Sequence, residues 1–106
     1  MNKYLLLYSG GSMPQSEAEQ KQVMQAWESW MGKVGKSLVD AGDPFTPIAK
    51  SVMTDGTVTD GPVNGMASGY SIIEADSLDA AVKFARNCPV LQGGAKISVF
   101  ETFHVM

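Results

Sequence analysis

Only two stretches of this chain carry a helical period, and that shortage constrains the fold more than any motif does. Between Ser16 and Ala41, the residues Val23, Trp27, Trp30, Met31, Val34 and Leu38 recur at three and four residues, which lines them along one helical face. Ser16 and Glu19 hold the positions of a capping box. Gly42 offers a left-handed stop, and Gly32 and Gly35 leave room for close approach of another backbone. The second helix starts at Asp76, read as its cap, with Asp79 in the first turn. Leu78, Ala81, Val82 and Ala85 form its apolar stripe up to Asn87 and Pro89.

The remaining periodic segments are extended. "KYLLLY", Lys3 to Tyr8, is a short apolar run stopped by Gly10 and Gly11, the pattern of a strand covered on both faces. "FTPIAKSVM" begins a second extended segment, and Asp55-Gly56 is the pair that a two-residue type I′ turn favours. That turn predicts a hairpin with Met53 opposite Val58 and Val52 opposite Thr59. "GYSIIEA", Gly69 to Ala75, and "AKISVFETF", Ala95 to Phe103, complete the strands.

Strand, helix, strand hairpin, strand, helix, strand is close to the split β-α-β order called ferredoxin-like, with a hairpin inserted, in one α+β domain spanning 1–106. Two helices cover one face of such a sheet. Tyr4-Leu5-Leu6-Leu7 and Ile72-Ile73 nevertheless place apolar groups on both faces. The economical cover for the second face is the same face of another copy about a two-fold axis, so a homodimer packed sheet on sheet is expected.

Composition narrows the partners. With 8 basic and 11 acidic residues and a net charge of -3, no basic run is present to neutralise phosphates, and direct nucleic-acid binding is not expected. No apolar run approaches the ~20 residues of a membrane helix, and the start is too short in apolar residues for a secretory signal. The lone Cys88 suits a reducing compartment and reads as a small buried hydrophobe. A cytoplasmic location follows from these features as an expectation.

"KYLLLYSGG", "MQAWESWM", "TDGP" after a hairpin and "GYSIIEADSLDAAVKFARNCPVLQGG" together resemble the YCII-related family, in its DGPF subgroup, over nearly the whole chain. The resemblance implies a dimeric α+β barrel of ferredoxin-like protomers, each with a cleft between sheet and helices. It also implies that some relatives are cofactor-free enzymes using a His-Asp pair, while others, found beside sigma-factor sequences, serve regulation. Two positions depart from the pattern. Val63 replaces the phenylalanine of DGPF, and Val23 stands where relatives carry a first-helix histidine. Valine transfers no proton, so that dyad is incomplete in this chain.

His104, the one histidine, lies near the C-terminus with no partner indicated to fix its tautomer. Asp60 is the stronger candidate base. In Asp60-Gly61-Pro62 the proline pushes Gly61 towards extended backbone, and the Asp60 carboxylate either accepts amides of its own loop or points into a cleft beside Trp27, Trp30 and Tyr70. Trp27 and Trp30, three apart, suit core or interface as well as a ligand box. "GKVGKS" lacks the first glycine of a phosphate loop, Trp30 standing there, and falls in helix. Gly10-Gly11-Ser12 lacks the remaining glycines of a dinucleotide fingerprint. The dispersed aspartates form no calcium loop, and no metal or cofactor is called for.

Three functions compete on this reading. The first is a small-molecule-binding, regulatory dimer, using Trp27, Trp30, Asp60, Gly61, Pro62 and Tyr70. The second is a cofactor-independent enzyme on a small organic substrate, with Asp60 as base or orienting group. The third is a purely structural dimer whose cleft Trp27 and Trp30 fill. The missing helix histidine favours the first.

Overall fold

The computed structural model describes residues 2–11, 15–63 and 65–104; Ser12 of the Gly-Gly-Ser turn lies outside them. Its strands and helices follow the chain as β1 (Asn2–Ser9), α1 (Glu17–Val34), β2 (Leu38–Asp40), β3 (Lys50–Val52), β4 (Val58–Asp60), β5 (Ala67–Ala75), α2 (Leu78–Arg86) and β6 (Lys96–Glu101). Four strands form an antiparallel sheet in the order β2-β5-β1-β6. Setting aside β3 and β4, which pair with each other alone, this is the ferredoxin-like order. The fold is α+β, as the sequence predicts, with the extra hairpin as an arm.

Alternation along β1 and β5 decides which residues each face presents. Tyr4, Leu6, Tyr8, Ile73 and Ala75 are buried with Trp30 and Val34 of α1 and with Ala81 and Ala85 of α2. Their neighbours Leu5, Leu7, Tyr70 and Ile72 point to the other face, which no helix covers. Leu5 lies directly between Ile72 and Phe100. Burying the first face is the main stabilising contribution, at about 25 cal/mol per Å² of apolar surface removed from water.

Local chemistry differs from expectation at five places. Helix α1 ends at Val34 rather than near Ala41, because Gly35 takes φ +57 and its amide returns to the Met31 carbonyl. Leu38 consequently joins β2 opposite Ile73 and reaches the core from a strand. Gly32 and Gly35 meet no other backbone; a side chain at either would enter open space. The close approach falls at Gly42, where a Cβ would lie 1.7 Å from the Tyr70 carbonyl oxygen.

The capping chemistry is also shifted. Ser16 Oγ accepts the Glu19 amide, but the Glu19 carboxylate takes the Gln15 amide at 2.7 Å instead of closing the box on Ser16. The cap of α2 is Ser77, whose Oγ accepts from the Ala80 amide at 3.1 Å, and not Asp76. Both residues suit a cap, and only the residue three before a free amide can fill the role.

The arm turns through three residues rather than two. Met53 N–H donates to the Thr57 carbonyl at 2.7 Å and Gly56 N–H to the Met53 carbonyl at 2.9 Å. Gly56 has φ +89, while among the described residues none other than glycine has positive φ. Asp55 therefore cannot occupy a type I′ turn; the arrangement is a type I turn closed by a left-handed glycine. The extra residue slips the ladder, so Val52 faces Val58, Ser51 faces Thr59 and Lys50 faces Asp60.

Candidate functional site

The sequence-predicted residues divide among three places. Trp30 is buried and donates its indole N–H to the Phe84 carbonyl at 2.9 Å, tying α1 to α2. Trp27 meets Trp30 edge to face at 5.5 Å and Tyr8 at 6.0 Å. Both tryptophans thus pack between α1 and the sheet. Tyr70 points from the opposite face, where its ring stacks on Phe45 at 5.9 Å and its hydroxyl donates to Asp40 at 3.3 Å. The Asp40 charge holds the Tyr70 phenol above its usual range.

Asp60 closes the base of the arm. Its carboxylate is 93% exposed and lies 3.5 Å from Lys50 Nζ. The backbone of Gly61 carries the structural duty, donating its amide to the Ala49 carbonyl at 2.9 Å and accepting from Ser51 Oγ at 2.7 Å. Gly61 adopts φ +84 rather than extended backbone: without a Cβ, it escapes the clash that Pro62 imposes on other residues. His104 is exposed at the chain's end.

Pro62 opens onto a groove of about 450 Å³ between the arm and the sheet, bounded by Pro44, Phe45, Ile48, Pro62 and Met66 among others. Among the described residues, no ionisable side chain lines it. Two of the predicted residues converge here, Pro62 directly and Tyr70 through the Phe45 ring, whereas Trp27 and Trp30 do not. Sequence reasoning missed Phe45, Ile48 and Met66. The signal available was the aromatic between two prolines in "DPFTPI", a stiff loop presenting an apolar ring. The Phe45 amide bonds to the Ser68 carbonyl at 2.8 Å and Pro44 bridges Gly69, which fixes that loop along β5.

The strongly perturbed groups lie elsewhere, in a closed chain through the core. Cys88 Sγ donates to the Tyr8 hydroxyl at 3.6 Å, Tyr8 to Ser71 Oγ at 2.6 Å, and Ser71 to the Ala41 carbonyl at 2.7 Å. Burial pushes both the Tyr8 phenol and the Cys88 thiol up. Each donor has its acceptor, so this chain joins β1, β5 and the ends of β2 and α2 as a structural clamp. A thiol raised by burial is a poor nucleophile at neutral pH.

Comparison with known proteins follows the same architecture. The YCII-related domain matches residues 4–102. No curated protein matches the chain. Among solved structures, similarity extends to 5-chloro-2-hydroxyhydroquinone dehydrochlorinase (TftG) from Burkholderia phenoliruptrix AC1100, in complex with 2,5-dihydroxybenzoquinone. That likeness has a TM-score of 0.55 at 19% identity and covers 96% of this chain and 94% of the other, which establishes a shared fold.

Proposed function

The chain belongs to the YCII-related family, and from that premise we propose that it is a homodimeric domain binding a small, partly apolar molecule in the groove between arm and sheet. The carrying observation is the groove itself: about 450 Å³, walled by Phe45, Ile48, Pro62 and Met66, with no ionisable group in the described lining. Such a site holds a ligand by burial and shape. Its described lining supplies no acid or base. That a chain of this fold accommodates 2,5-dihydroxybenzoquinone supports a small ring-shaped ligand. Regulation through ligand binding suits a site without catalytic groups, and the single buried thiol suits a reducing, cytoplasmic setting.

The fold of the dehydrochlorinase also favours a second reading, a cofactor-independent enzyme with Asp60 as base. It requires Asp60 to leave Lys50 and turn towards the groove, and it must do without the histidine replaced by Val23. One experiment separates the two. A panel of hydroxylated aromatics and quinones is screened by thermal shift, and the best binder is titrated calorimetrically against Ala49→Phe and Asp60→Asn. The binding reading expects Ala49→Phe, which fills the groove, to weaken affinity at least tenfold, while Asp60→Asn leaves it within twofold. Unchanged affinity in Ala49→Phe would overturn the groove. Turnover of the binder that disappears in Asp60→Asn would establish the enzyme.

A further inference from the structure

We infer that the arm β3–β4 is an intermolecular clasp, lying against a second copy of this chain and thereby closing the open side of the groove at its base. The inference rests on the proposed dimer and ligand groove, and goes beyond sheet-on-sheet packing by giving the arm its occupant.

The area is the first argument. The chain exposes 7790 Å², where a folded monomer of this length exposes about 5,700 Å². The excess is about 2,000 Å², well above the ~800 Å² per partner of a standard interface and in the range of obligate homodimers. Its radius of gyration is 15.2 Å against about 13 Å for a compact domain of this size. Both excesses suit a chain that packs against a partner.

The arm is the second argument. It consists of two strands of three residues paired only with each other, and a lone two-stranded hairpin is marginal in water. One of its faces presents the directly opposed pair Val52 and Val58, 69% and 56% exposed, beside Lys50 and Asp60. The alternate face turns inward at buried Ser51.

Continuity selects the partner. Ile48, 84% exposed, borders the groove at the foot of the arm, with the Lys50–Asp60 pair between it and the valines. Across the groove, Phe45 stacks on Tyr70, which belongs to the uncovered sheet face with Leu5, Ile72 and Phe100. Arm, groove and sheet face therefore adjoin in one surface, apolar except at the Lys50–Asp60 pair. A two-fold axis pairs such a surface with itself, so that each groove is completed by the other chain. The Lys50–Asp60 pair places both charge signs within that surface, which suits self-association better than a strongly charged partner.

Sedimentation velocity over a concentration series tests this with wild type, Val52→Thr/Val58→Thr and Phe100→Ser. The threonines keep β-branching and so preserve the hairpin while removing its apolar pair. Expected is a wild-type dimer whose dissociation constant rises at least tenfold in the double-threonine variant, with an unchanged far-ultraviolet spectrum. A wild-type dimer unaffected by the threonines but weakened by Phe100→Ser would overturn the clasp and leave the sheet-face dimer standing. A wild-type monomer would overturn the dimer itself. Hydrogen exchange on wild type needs no variant: the Met53 and Gly61 amides that hold the arm should lose at least tenfold protection on dilution to monomer. Equal rates in both states would exclude the clasp.

Discussion

Ser71 is the residue on which the core's polar chemistry turns. It accepts from Tyr8 and donates to Ala41, and it is fully buried. Ser71→Ala leaves the buried Tyr8 hydroxyl without its acceptor and should destabilise the fold by about 2 kcal/mol, read as a lower urea midpoint at unchanged slope. Asp60 marks the opposite extreme. Its ion pair with Lys50 is solvent-exposed, and pairs of that kind contribute ~0–1 kcal/mol. The repeated Thr-Asp-Gly therefore hides two different chemistries. Asp55 accepts from Thr57 within its turn, and hydrogen bonds from the Thr57 hydroxyl and amide hold its carboxyl below the usual range. Asp60 follows from strand pairing, through Lys50. The turn role of Asp55 was legible in the sequence; the pairing of Asp60 with Lys50 was not, because it depends on a register set by one extra turn residue.

At the scale of elements, caps show how far local sequence reaches. Asp76 and Ser77 are adjacent, equally suited cap residues, and the structure uses Ser77. Ser77→Ala should cost about 1 kcal/mol, whereas Asp76→Asn should stay within ~0.5 kcal/mol, both measured by thermal unfolding. Helix α1 was legible in its period but not in its end. Leu38 continues the three-and-four spacing of Trp30, Met31 and Val34, yet it reaches the same core from β2, since pairing with Ile73 outweighs one more helical turn. Apolar spacing reports that a residue is buried, and not always from which element.

The whole molecule carries a pH signature through its buried donors. In the unfolded chain the Cys88 thiol ionises near 9.0 and the Tyr8 phenol near 10.0, whereas burial raises both in the folded chain. A raised folded value keeps the proton on the folded state, so this stabilisation is complete below pH 9 and is lost as pH rises. The slope should approach ~1.4 kcal/mol per pH unit for each group within its window. Urea midpoints from pH 7 to 10.5 check this. Cys88→Ala should remove the part of the fall that begins near pH 9 and leave the part that begins near pH 10.

The sequence by itself determined the first and the last two strands of the sheet, the arm and the two-helix shortage, and hence a sheet with one face uncovered, while β2 was hidden in the run assigned to helix α1. Those depend on periodicity, which is local: alternation in "KYLLLY" and three-and-four spacing around Trp27 and Trp30 need no partner to be read. Only the tertiary structure decided that the tryptophans fill the space between helix and sheet, and that the groove forms beneath an arm from Phe45, Ile48, Pro62 and Met66. These residues are separated along the chain and carry no shared period. They meet because Gly42 lets the loop press against β5 and because a three-residue turn sets the arm's register. Packing at that range depends on the whole backbone path, which no window of sequence contains.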